Sequence, residues 1–106
     1  MYVFGGREEQ RILNDLWVVD LETYQWQQLK PNRPHGSSSF ALEDYPAERC
    51  GHSCDRISHY MVIFGGFMNL RKELNDLFLF DFITHTWIKM CEDVNRSASL
   101  GATLRL

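Results

Sequence analysis

Cys50, His52, Cys54 and His59 form the one stretch where metal-ligating or nucleophilic side chains crowd together. In an extended chain, side chains at i and i+2 stand about 6.6–6.8 Å apart, and i to i+4 about twice that. Zinc ligands sit about 2.0–2.3 Å from the ion and must converge on one point, so a straight strand holds Cys50 and Cys54 too far apart. A nucleophilic cysteine needs a base and a polar pocket to hold its thiolate. Small residues in a strand-like context place Cys50 and Cys54 in an inert core instead, with His52 packed and hydrogen-bonded. The expected catalytic set is empty, with no metal and no cofactor.

Trp26 and Trp87 have the faces to stack on a sugar or a base. Their spacing argues for structure: Gly6 to Trp26 is 20 residues and Gly66 to Trp87 is 21. Each ring is expected to fill space beside a double glycine and to be buried. Arg49, Asp20 and Asp81 read as framework polar groups, buried and hydrogen-bonded.

These residues belong to a repeat. Met1-Tyr-Val-Phe-Gly5-Gly6 answers to Met61-Val-Ile-Phe-Gly65-Gly66 at an offset of 60. Asn14-Asp15-Leu16 answers to Asn75-Asp76-Leu77 at 61, and Asp20-x-x-Thr23-x-x-Trp26 to Asp81-x-x-Thr84-x-x-Trp87 at the same 61. A fainter echo relates Arg49-Cys50-Gly51-His52-Ser53 to Ser99-Leu100-Gly101-Ala102-Thr103. Short apolar runs such as Leu16-Trp-Val-Val and Leu77-Phe-Leu-Phe lack polar alternation and read as strands covered on both faces. The glycine pairs close such runs where positive φ or close backbone approach is needed. Asp20 and Asp81 are placed to bond their own backbone in hairpin turns. The predicted strands are 1–5, 14–20, 24–29, 49–54, 59–64, 75–81, 86–90 and 100–105, with essentially no helix. Pro31, Pro34, Gly36 and Ser37-Ser38-Ser39 mark 31–45 as a long loop.

Two sets of double glycine, Asn-Asp-Leu, Asp, Thr and Trp in register resemble Kelch repeats. Pro46-Ala-Glu-Arg49-Cys-Gly51-His52-Ser53 is similar to the segment that opens a Kelch blade. The resemblance implies an all-β chain of four-stranded antiparallel propeller blades, lettered a to d from the inside outward. On that map 1–106 is a partial Kelch propeller. Residues 1–30 supply strands b–d of a first blade, 31–45 the d–a loop, 46–92 a complete second blade, and 97–106 strand a of a third. The structural motif is then Gly5, Gly6, Asp20, Trp26, Arg49, His52, Gly65, Gly66, Asp81 and Trp87. In a meander, b–c and d–a loops leave on one face, which would carry Arg7, Glu8, Glu9 and Arg11 from one blade. Phe67, Asn69, Arg71 and Lys72 would come from the other.

Composition agrees with a folded domain. Apolar residues make up 44% and charged residues 24% of the 106, and seven Phe, four Tyr and three Trp suit a sheet protein. Eleven Lys and Arg against fourteen Asp and Glu give a net charge of −3, which disfavours nucleic acid and anionic membrane as partners. Three cysteines and no secretory leader pattern favour a reducing, cytoplasmic setting. The expected function is a protein-interaction module of adaptor or scaffold type, binding a partner protein through the b–c and d–a loops. The alternatives are a piece of a Kelch-fold enzyme and a structural piece that completes a larger propeller. Two blades leave apolar faces uncovered, so further Kelch repeats in a longer chain, or self-association, are expected to cover them.

Overall fold

A computed structural model describes residues 1–30 and 45–91. Its first sheet is a meander of β1 (Tyr2–Glu8), β2 (Arg11–Val19) and β3 (Trp26–Leu29). The second holds β4 (Ser53–Ile57), β5 (Tyr60–Asn69), β6 (Lys72–Asp81) and β7 (Thr86–Cys91), also in sequence order. All neighbouring strands are antiparallel. No helix occurs among the described residues, so the chain is all-β as its pattern implied. The 97–106 strand and, apart from Tyr45, the 31–45 loop lie outside the described residues.

The repeat is visible in backbone detail. β1 shifts register between Phe4 and Gly6, and β5 between Phe64 and Gly66. Gly5 and Gly65 share a φ of 68°, which an L side chain adopts only with strain. A Cβ on Gly66 would also stand 2.8 Å from the Cys50 carbonyl oxygen. The glycine pairs therefore do not end their strands, as expected from the sequence. They form bulges inside them, and β1 and β5 run on into the hairpins beyond.

Each c–d hairpin is built on its aspartate. Asp20 Oδ1 accepts from the Glu22 amide at 2.8 Å, and Asp81 Oδ1 accepts from the Ile83 amide at 2.8 Å. Tyr24 and His85, again 61 apart, take the positive φ that completes each turn. Asp81 is buried, but Asp20 is exposed, against the expectation that both would be. Burial works to raise the Asp81 carboxyl; hydrogen bonds from Ile83 and Thr84 and the nearby His59 outweigh it and hold the group below its ordinary value.

The predicted strand at 49–54 starts late, at Ser53, because the preceding backbone ties the two sheets together. The Arg49 amide donates to Leu13 at 3.0 Å, and its carbonyl accepts from the Gly6 amide at 2.8 Å. Cys50 then exchanges both backbone bonds with Phe67. The core lies between the sheets, with Phe4 and Leu16 on one side and Met61, Ile63, Phe78, Phe80 and Trp87 on the other. Trp87 is only 6% exposed, with its ring 5.0 Å from that of Phe4 and 5.1 Å from that of Phe80.

Trp26 corrects the expectation that both tryptophans are buried: it is 56% exposed. The ring covering Trp87 comes from Phe4 of the preceding sheet, and among the described residues no sheet stands in that relation to Trp26. The same reason leaves the other faces of both sheets half-covered. Leu77 and Leu79 are intermediate while Phe78 and Phe80 are buried, so each sheet is sealed on one side only.

Candidate functional site

The glycine bulges aim two hairpins at the same end of the molecule. The β1–β2 hairpin turns at Glu9-Gln10, and the β5–β6 hairpin at Leu70-Arg71. A groove of about 620 Å³ runs between them. Arg7, Gln10 and Ile12 line one wall, and Phe67, Asn69 and Leu70 the other, with Cys50 at the floor. Phe67 is half-exposed and is fixed in place by its paired backbone bonds to Cys50. Leu70, at the hairpin tip, is 102% exposed. An apolar tip held out from a rigid turn has no folding role, since its burial contributes nothing to the core.

The polar rim is partly self-paired. Arg7 Nε donates to the Glu9 carbonyl at 2.6 Å, which fixes the guanidinium over the groove. Arg11 pairs loosely with Glu8 at 3.4 Å, both side chains largely in solvent. Asn69 Oδ1 accepts from the Arg71 amide at 2.8 Å and shapes the second tip. Among the described residues, Arg71 and Lys72 have no ion-pair partner. Of the eight loop residues singled out from sequence, the groove thus gathers Arg7, Phe67 and Asn69. Glu8, Glu9, Arg11, Arg71 and Lys72, in the same two hairpins, do not line it. Gln10 lies in the Arg7–Arg11 segment that the sequence put on this face, whereas Ile12 and Cys50 escaped that reading. Cys50 was read as core, and only the bridge to Phe67, which joins residues far apart in sequence, shows it at the groove.

Among the described residues Arg49 is the one fully buried cation, at 0% exposure. Its guanidinium donates to both oxygens of Asp76, at 2.5 and 3.0 Å, and to the Gly65 carbonyl at 3.1 Å. Phe78 lies beneath it, 5.7 Å from ring centroid to Cζ. Every donor is directed inward, so the pair is framework and not a ligand site. His52 lies against Phe4 of the other sheet, ring to ring at 5.9 Å. Burial first, and then the Arg49 charge, lower its pKa, while a hydrogen bond to the Phe4 backbone works the other way. Tyr45 packs on the same junction, and its hydroxyl donates to the Asn14 carbonyl at 2.7 Å. Burial and then Asp15 push that phenol up to about 12, so it stays neutral.

The chemistry weighed from sequence finds little geometry to serve it. Among the described residues no group of three His, Cys, Asp or Glu side chains converges as a metal site. Cys54 is at the surface, not in the core as expected, because β4 is exposed along its length. Its thiol is held above the ordinary value by desolvation and then by the Asp55 charge, the wrong direction for a nucleophile. Ser58, His59 and Asp81 come near one another, but His59 Nε2 is 3.9 Å from Asp81 Oδ2, beyond hydrogen-bond reach. That carboxylate is already committed to two turn amides.

The Kelch motif family model matches residues 1–33 and 48–90. The chain belongs to the Kelch-repeat family. It is 30% identical over 89 residues to Kelch domain-containing protein 2 of Bos taurus, a match that covers 83% of this chain and 20% of that protein. It is 33% identical over 88 residues to Kelch domain-containing protein 10 of Xenopus tropicalis, covering 82% and 20%. Host cell factor of Drosophila melanogaster is 30% identical over 90 residues, covering 76% and 6%. The chain therefore spans a fifth or less of the length of these relatives. Its two sheets are Kelch blades of the propeller type, with four strands in the second and three in the first. The Kelch relation supports a protein-interaction module.

Proposed function

We propose that this Kelch chain is an adaptor or scaffold module, and that its partner protein binds across the two b–c hairpins. The observation that carries the reading is the groove itself: both hairpins wall it, and an exposed Leu70 and a fixed Phe67 overhang it. Aromatic and arginine side chains at the centre of an apolar patch, with charge at the rim, are the composition of protein interfaces. Arg71 and Lys72 would steer a partner with an acidic surface, and Phe67 with Leu70 would anchor it. A reducing, cytoplasmic setting belongs to the same reading.

The test separates steering from anchoring. With a partner in hand, Arg71→Glu with Lys72→Glu should slow association and flatten its dependence on salt, with little change in dissociation. Phe67→Ala should speed dissociation instead. Charge reversal at Arg56, at the far end of the sheets, should change neither rate. Equal sensitivity at Arg56, or indifference to the three hairpin substitutions, would sink the reading.

A further inference from the structure

The two hairpin tips leave opposite charges unmatched. The first turns at Glu9-Gln10 and the second at Leu70-Arg71. At the first, Arg7 is turned back to the Glu9 carbonyl and Arg11 to the Glu8 carboxylate. The Glu9 carboxylate is then the charge without an ion-pair partner among the described residues, and at the second tip Arg71 and Lys72 are in the same condition. The groove keeps the tips apart, and among the described residues no ion pair joins one hairpin to the other. Leu70 is stranded likewise. It stands at the lip of the groove fully exposed, while Ile12 and Phe67 on the walls stay partly open.

A two-fold axis through the groove satisfies all of these groups together. It sets the first tip of each chain against the second tip of the other, and such an isologous contact makes every pairing twice. We propose that a second copy of this chain occupies the groove when no partner fills it, with Leu70 of each copy seated between Ile12 and Phe67 of the other and Glu9 paired across the axis with Arg71 and Lys72. Exposed ion pairs add little apiece and serve to fix the orientation, while Leu70 is the anchor. The contact is weak and reversible, which suits a face that has to yield. The inference rests on the hairpin groove as the partner face and adds its regulation, because a partner then binds only by parting the two copies.

A zero-length carbodiimide joins a carboxylate to a lysine amine only where the two touch. Applied to an equal mixture of heavy-isotope-labelled and unlabelled full chain, it should yield a Glu9–Lys72 link whose halves carry different isotopes and so come from different chains. Glu9→Lys should lose that link, and so should Arg71→Glu with Lys72→Glu, because like charges then face each other. Mixing these two variants, one labelled and one not, should restore links between positions 9 and 72, which misfolded chains could not do. Leu70→Asp should remove the link with Glu9 and Lys72 intact, since a carboxylate is costly to seat in an apolar groove. Links confined to one isotope, no link at all, or a mixture that restores nothing would overturn the dimer. Those results would leave the partner reading standing, because it is judged by rates measured with the partner. Restored links together with partner rates indifferent to Phe67→Ala and to the charge reversals would uphold the dimer and sink the partner reading instead.

Discussion

Arg49 holds three separate structures in register: the bulge of one blade, the Asp76 carboxylate of the other, and the backbone joining them. Removing it leaves Asp76 buried and uncompensated. Arg49→Ala is expected to destabilise the fold by about 3–5 kcal/mol in urea unfolding. Arg49→Met with Asp76→Leu should recover much of that loss, because no charge is then stranded. His52 sets a pH dependence. Its folded-state pKa is depressed, so protons favour the unfolded chain. Stability should be level at neutral pH and decline as pH falls through the ordinary histidine value of about 6.5. The unfolding midpoint of His52→Gln should show a weaker decline over that window. The sequence marked Arg49 and His52 as motif residues, but their partners stayed hidden. Asp76 lies 27 residues from Arg49, and Phe4 reaches His52 only once the blades stack.

The element scale explains which expectations held and which did not. The aspartate turns were legible because an aspartate bonds an amide two residues on, a purely local event. The glycine pairs were legible as special positions but not as bulges. Positive φ at a strand end and positive φ at a bulge call for the same residue, and only the partner strand's register tells them apart. The tryptophans divide on the same ground. Identical spacing puts both rings on matching strands, while burial depends on the neighbouring sheet. Trp87→Ala should therefore cost about 3–5 kcal/mol, and Trp26→Ala well under about 1 kcal/mol, in the same denaturation experiment. Comparable losses at both sites would mean that the first blade's outer face is covered in solution.

That outer face governs the behaviour of the whole molecule. Met1, Val3 and Trp26 are exposed at positions that match the buried Met61, Ile63 and Trp87, and Met90 is exposed on the second blade. Each end thus presents the type of surface that its counterpart buries. Stacked repeats gain stability from their neighbours, so the 106-residue chain is expected to associate as its concentration rises. Sedimentation velocity should show species above 12.5 kDa, and Trp26→Glu with Val3→Glu should shift them toward monomer. A single 12.5 kDa species at every concentration would contradict this. The proposed partner face is independent of such stacking, because the hairpin tips project from the blade ends and not from the faces. Site-specific photo-crosslinking in cells measures it most directly, with the crosslinker placed at Leu70 in one sample and at Ser58, in the a–b turn at the opposite end, in another. The account predicts a discrete protein adduct from Leu70 that Phe67→Ala removes, and none from Ser58. The same adduct from Ser58, with none from Leu70, would contradict it.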